Sequence, residues 1–155
     1  MRAMVLRTPA DVSHSPLIAE QRPTPEPGRG EVRLRVLCCG VCHTDLHLVE
    51  GELRAPRLPL VPGHQIVGEV EACGPGVDSS WLGRRVGVPW LAWTCGGCDA
   101  CLGGTENLCP SARFTGFDAD GGFAQQALAA VDFLVELPDE MGDPVSAAPL
   151  LCGGV

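Results

Sequence analysis

Apolar and polar positions alternate over Glu31–Cys38: Val32, Leu34, Val36 and Cys38 fall on one side, Arg33 and Arg35 on the other. That period of two predicts a half-buried strand. Ala3–Arg7 reads as a short opening strand. His64–Cys73 is rich in β-branched residues and carries Gly68 inside the pattern, a mark of a bulge or a close backbone approach. Arg84–Val88 and Gly122–Ala130 predict two further strands. Between them the period lapses. Gln21–Gly30 is broken by Pro23, Pro25, Pro27, Gly28 and Gly30, and Arg54–Pro62 by Pro56, Pro59 and Pro62, so both are loops. Cys42–Val49 predicts a short helical turn after Gly40. Asp143 is placed to cap a second one, with Pro144 at its first position and Ser146, Ala147, Ala148, Leu150 and Leu151 following. Short strands separated by Gly and Pro turns predict a mainly β barrel with a few short helices.

Composition narrows the chemistry. A chain of 155 residues fits one domain with a sizeable core. The net charge of −8 disfavours nucleic acid and anionic membranes, both of which call for basic patches. There is no lysine and no tyrosine, which removes Schiff-base lysines and tyrosine acids. No apolar run follows Met1 as a signal peptide would, and none is long enough to span a membrane. The nine cysteines are therefore expected to be reduced and cytosolic, with metal binding favoured over disulfides.

The densest chemistry runs from Cys95 to Cys109, where Cys95, Cys98, Cys101 and Cys109 are spaced C-x2-C-x2-C-x7-C. Four thiolates suit a closed, tetrahedral structural zinc. Gly96, Gly97, Gly103 and Gly104 are expected to supply positive φ angles for the turns. Disulfides, or cysteines packed as small hydrophobes, are the alternatives. A second, dispersed group comprises Cys42, His64 and Cys152, a Cys2His set of the kind that holds a catalytic zinc with one position open. Taken alone, these residues are a weak signal, and a buried Cys42 and a satisfied His64 would be the commoner explanation.

Gly40-Val-Cys-His-Thr-Asp45, Gly63-His64, Gly83-Arg-Arg-Val-Gly87, the Cys95–Cys109 lobe and Ala147-Ala-Pro-Leu-Leu-Cys-Gly153 occur in that order over nearly the whole chain. Together they resemble the catalytic domain of zinc-dependent medium-chain alcohol dehydrogenases. The resemblance implies a GroES-like distorted β-barrel over residues 1–155, with a zinc-bound loop lobe at about 89–115. It implies two zinc ions: a catalytic one on Cys42, His64 and Cys152, and a structural one on Cys95, Cys98, Cys101 and Cys109. Thr44 matches the hydroxyl that bonds the substrate alcohol, and His47 the outer member of a proton relay. Asp45 matches the carboxylate that orients the ligand histidine, His43 a contact to the cofactor pyrophosphate, and Trp90 and Leu53 the substrate pocket. Read without the resemblance, Thr44 and Asp45 would be helix caps, His47 a solvated residue and Trp90 core. Cys38, Cys39 and Cys73 match no ligand position and are expected to pack, and His14 takes no role.

Two departures stand out. Where this family usually has glutamate after the ligand histidine, the chain has Gln65, which keeps an oxygen but loses a charge close to the metal. The chain also stops at Val155, and no G-x-G-x-x-G follows a strand. The resemblance therefore implies a catalytic domain whose Rossmann cofactor domain is absent from this chain. Completed by such a domain, it would oxidise a small alcohol to an aldehyde or ketone with NAD or NADP, in the cytoplasm and as a homo-oligomer. A truncated zinc-binding module without catalysis is the alternative.

Overall fold

A computed structural model describes residues 1–153; Gly154 and Val155, the last two residues of the expected domain, lie outside the described residues. Nine strands and three short helices follow one another: β1 (Arg2–Leu6), β2 (Leu17–Gln21), β3 (Glu31–Gly40), α1 (His43–Glu50), β4 (Gln65–Cys73), β5 (Arg85–Val88), β6 (Leu91–Trp93), α2 (Asp99–Leu102), β7 (Arg113–Phe114), β8 (Gln126–Ala130), β9 (Val135–Glu136) and α3 (Pro144–Ala147). A turn of 3-10 helix over Ala148–Leu151 continues α3. Five strands form one sheet in the order β8-β3-β4-β5-β9, antiparallel throughout. The pairs β1-β2 and β6-β7 stand beside it. The expected β-dominated fold with a few short helices is what the described residues form.

The core lies on both faces of the central strand. Ile66 and Val70 of β4 join Val32, Leu34, Val86, Val88, Ala127 and Ala129 on one face. Val67, pointing the other way, packs with Leu137, Ala147, Ala148 and Leu151. Gln65–Gly68 is therefore buried without a break, as a strand covered on both faces must be. Gly68 opposes Val36, and a Cβ there would meet the Arg35 carbonyl oxygen at 3.0 Å; the glycine marks a close backbone approach.

The alternation expected for β3 fails at its end. The pairing with β4 slips between Val36 and Cys38. The extra residue turns Cys39 toward the core formed by Leu34 and Val36, while Cys38 packs on the opposite face beside Val67. A bulge inserts one residue, and one residue inverts every later side chain. The expected strand at Gly122–Ala130 is also shorter, covering Gln126–Ala130. The amides of Gly122 and Phe123 are bonded to the carbonyls of Gly63 and Pro62 instead. Only Gly96 and Gly104 of the four lobe glycines have positive φ. Gly103 closes α2 at φ −84, and Gly97 serves through its amide.

Candidate metal centres

The first centre is assembled where three elements meet. Cys42 leaves β3 in an extended conformation and becomes the N-cap of α1. Its Sγ accepts from the Thr44 amide at 3.3 Å, and its own amide donates to Asp45 Oδ2 at 3.0 Å. This reciprocal pair satisfies amides that a helix start otherwise leaves unpaired. Asp45 is 3% exposed. Its Oδ1 also accepts from the Gly63 amide at 3.1 Å and faces His64 Nδ1 at 3.3 Å. Gly63 has φ +98, and Phe123 and Cys39 leave no room for a Cβ. The chain turns there and delivers His64, 1% exposed, at the head of β4.

With Nδ1 engaged by Asp45, Nε2 of His64 faces Cys42 Sγ at 3.3 Å. Cys152 arrives from the turn after α3. The ligand atoms of Cys42, His64 and Cys152 all lie within 4.8 Å of one another. Around a tetrahedral zinc, a sulfur and an imidazole nitrogen would be separated by about 3.5 Å, so the spacing of Cys42 and His64 fits. Burial lowers the His64 pKa, but the hydrogen bond and charge of Asp45 outweigh it and leave it raised. Burial raises the Cys42 thiol, yet the Thr44 hydrogen bonds and the charge of His64 bring it below its ordinary value. Cys152 is held up by burial and by the neighbouring Cys42. Two thiols and an imidazole crowded together form a soft donor set that a divalent cation would balance.

The second centre lies in the lobe. Cys98 and Cys101 Sγ are 3.5 Å apart, Cys109 and Cys95 3.6 Å, and Cys95 and Cys101 4.0 Å. A zinc with four sulfurs at about 2.3 Å would set them about 3.8 Å apart. All nine cysteines are free. Backbone amides of Gly97 and Cys98 pull the Cys95 thiol down to about 6. Against the pull of the Cys101 amide, thiol contacts with Cys101, Cys95 and Cys109 hold Cys98 up at about 11. Four thiols gather at this centre. The first, with two thiols and an imidazole, faces a groove of about 530 Å³ lined by Cys38, Gly40, Val41, His43, Gln65 and Val145 among others. A larger hollow of about 960 Å³ runs between the lobe and β8, near Trp93 and Phe133, and includes none of Cys42, His64 and Cys152.

The remaining expected residues fall as follows. Thr44 is half-buried, while His43 is exposed and stacks obliquely on His47 at 4.6 Å. His47 Nδ1 pairs with Glu52 at the surface. Trp90 stands edge-on to His64 at 5.0 Å. Leu53 sits just beyond α1, its amide on the His47 carbonyl, and does not line the groove. Gln65 is 5% exposed and lines the same groove as Cys152. Cys38, Cys39 and Cys73 pack against the cores, and His14 is exposed in a 3-10 turn. Three residues escaped the sequence reading. Phe114 and Phe117 flank Trp90 at 5.0 and 5.9 Å, and Glu52 lies past the helix end. Only the richness in aromatics near the lobe hints at the first two; nothing periodic marks Glu52.

A family model described as the alcohol dehydrogenase GroES-like domain matches residues 28–139. An alcohol dehydrogenase of Geobacillus stearothermophilus is 46% identical over 141 residues, 90% of this chain and 42% of the relative. The cobalt- and zinc-bound structure of a thermostable alcohol dehydrogenase from Pyrobaculum aerophilum superposes with TM-score 0.88 at 34% identity, covering 99% of this chain and 45% of that one. A short chain alcohol dehydrogenase of E. coli CFT073, complexed with NADH, gives TM-score 0.84 at 31% identity over 95% of this chain and 41% of that one. The chain thus spans about two fifths of the length of these relatives.

Proposed function

Because the chain belongs to the alcohol dehydrogenase GroES-like domain family, we propose that it is the metal- and substrate-binding part of a zinc-dependent alcohol dehydrogenase using NAD or NADP. The observation that carries this reading is the convergence of Cys42, His64 and Cys152 within 4.8 Å at an open groove. Cys42, His64 and Cys152 would hold the catalytic zinc, and Cys95, Cys98, Cys101 and Cys109 a structural one. Zinc in the first centre supplies Lewis-acid polarisation of the substrate oxygen.

The chain's own residues do the rest. Asp45 fixes the tautomer and direction of His64, as a buried carboxylate behind a ligand imidazole does. Thr44 and His47 are three residues apart on α1 and so share a face. Thr44 takes the alcohol proton through its hydroxyl, His47 receives it, and Glu52 passes it to solvent from the exposed side of His47 Nδ1. Trp90, with Phe114 and Phe117 behind it, forms an apolar wall beside His64 that excludes water from the reacting carbon. His43, exposed on the groove, would meet a cofactor phosphate.

A nicotinamide would accept the hydride. Every strand pairing in the described sheets is antiparallel, so the described residues hold no parallel βαβ unit for a dinucleotide. The 155-residue chain alone is therefore expected to bind zinc without oxidising alcohols. Holding two reactants together is worth about 7–11 kcal/mol of barrier, and that positioning has to come from a dinucleotide-binding domain. The test assays the chain with NAD and NADP against primary, secondary and aromatic alcohols, alone and fused to a Rossmann domain from a related dehydrogenase. Activity only in the fusion, lost with Cys42→Ser, supports the reading. A fusion that binds cofactor and two zinc ions yet turns over no alcohol refutes it.

A further inference from the structure

Trp90 stands on a two-residue corner, Pro89–Trp90, between β5 and β6. Proline has no amide hydrogen, so the peptide at Pro89 can be tied only through its carbonyl. Thr115 takes both carbonyls of the corner. Its hydroxyl donates to the Pro89 carbonyl at 2.8 Å, and its amide donates to the Trp90 carbonyl at 2.9 Å. These carbonyls belong to the two planar peptides on either side of the Trp90 Cα. Fixing both planes fixes the direction in which the indole leaves the chain. Thr115 is 3% exposed, and a β-branched side chain has few rotamers through which its hydroxyl could turn away.

The sheet adds little at this place. β6 and β7 pair at Leu91 with Phe114 and at Trp93 with Arg113, and their register slips in between. The turn that carries Thr115 is braced on its own account. The Phe114 amide donates to Asp118 Oδ2 at 2.8 Å, and the Asp118 amide donates to the Phe114 carbonyl at 3.0 Å. The same turn grips the indole, with Phe114 stacked on it at 17° and 5.0 Å and Phe117 tilted against it at 5.9 Å. The indole in turn meets the His64 ring edge-on at 5.0 Å. Gly116, at φ +72, lies against Gly63: a Cβ there would fall 2.8 Å from the Gly63 nitrogen, whose hydrogen bonds Asp45. One turn thus holds the wall beside His64 and abuts the segment that delivers His64.

We propose that Thr115 is a positioning residue for substrate size: by tying the Pro89 and Trp90 carbonyls to a braced turn, it sets how far the Trp90 indole reaches over the space beside His64, and so the bulk of alcohol admitted there. This rests on the reading of Cys42, His64 and Cys152 as the centre that binds the substrate oxygen. Thr115 acts through Trp90 and touches no substrate itself.

The experiment has two arms. In the first, Trp81→Phe and Trp93→Phe leave Trp90 as the sole tryptophan of the 155-residue chain. Thr115→Val keeps the shape of the side chain and its amide bond but removes the hydroxyl. Trp90 emission should move to longer wavelength and become more open to quenching by acrylamide, with zinc content unchanged; Thr115→Ser should restore both. In the second arm the same variants are made in the chain fused to a Rossmann domain. The ratio of kcat/KM for an aromatic alcohol to that for ethanol should rise about tenfold in Thr115→Val, as for a pocket altered by roughly one methylene, and return in Thr115→Ser. Wild-type emission and quenching in Thr115→Val, or in Thr115→Ala if the first does not fold, overturn the proposal. A change that Thr115→Ser does not reverse overturns it too, since the hydroxyl would not be the cause, and so does a freed Trp90 with an unchanged ratio. A wild-type fusion that binds cofactor and two zinc ions yet turns over no alcohol overturns the underlying reading and the proposal with it, whatever Trp90 emission shows.

Discussion

Replacing Asp45 by asparagine should weaken both the fold and the metal site. Oδ1 serves the Gly63 amide and His64 Nδ1, and Oδ2 serves the Cys42 amide. Asparagine offers one oxygen. Placed at the Oδ1 position it keeps Gly63 and His64 satisfied, but its NH2 then faces the Cys42 amide, donor against donor. The flipped orientation strands two donors and is worse. A buried donor left unpaired costs about 1–3 kcal/mol. The Cys42 amide is only partly buried, so the loss should be about 1–2 kcal/mol, with the weaker bonds to a neutral acceptor adding to it. At about 2–4 °C per kcal/mol for a domain of this size, the melting temperature should fall by roughly 2–8 °C. Affinity at the three-ligand site should fall about 10–100-fold. Asp45→Ala would strand all three donors and cost about 3–8 kcal/mol, a large share of the 5–15 kcal/mol typical of a whole domain. The assay is a thermal melt of zinc-loaded and zinc-stripped protein with zinc analysis of each. An Asp45→Asn protein that melts within about 1 °C of wild type and keeps both metals would refute the reasoning, since it would mean these three bonds carry little energy.

Cys98→Ser should unfold the lobe around Leu91–Phe114, because metal binding there is coupled to folding; Cys42→Ser should empty only the three-ligand site. Thermal melts and zinc analysis of both variants check this, and equal losses of stability would contradict it. Glu52→Gln, in the complete enzyme, should slow turnover several-fold while leaving zinc content and melting temperature unchanged, because it alters only the exposed end of the His47 pair. Acid should loosen the two 3-10 turns at Val12–His14 and Ser79–Trp81. Hydrogen bonds from Ser13 and Ser80 hold the Asp11 and Asp78 carboxylates below their ordinary values. A depressed folded-state value means stability present above the unfolded pKa and lost as pH falls through the folded one. Hydrogen exchange at Ser13 and Ser80 should therefore rise as the pH drops below about 4, and Asp78→Asn should flatten that rise at Ser80.

The strands legible in the sequence were those with a buried side to betray them. Val32 and Leu34 alternate with Arg33 and Arg35, and all four lie where the period puts them. β2 left no such trace, because Leu17–Gln21 pairs only with β1 and no residue of it is buried. β6, β7 and β9, of two or three residues each, are shorter than any period can register. At the candidate site the converging residues were readable from spacing and resemblance, but not what steers them. The clash that forbids a side chain at Gly63 depends on Phe123, some sixty positions away. The meeting of Cys42 with Cys152 depends on two distant parts of the chain coming together. Leu53, expected in the pocket from the resemblance, lies just beyond α1 with its amide on the His47 carbonyl, and the groove beside Cys42 and Cys152 includes neither it nor Trp90.

The slip in β3 bears on how chains of this kind are compared. It lies between Val36 and Cys38, only a few positions ahead of the first ligand. Because a strand counts in twos, the stretch before Cys42 behaves like a reading frame: one residue beyond what the bulge takes up sends Cys38, Cys39 and Gly40 to opposite sides of the sheet. A sequence with a residue inserted beside Leu37 would keep every thiol and the imidazole of both centres, and a search for those letters would score it almost unchanged. Yet with the bulge absorbing only one of the two extra residues, its chain would leave the sheet out of phase with Gln65 and His64. Parity upstream of the motif, invisible in any roll of matching residues, is as much a condition for the site as the motif itself.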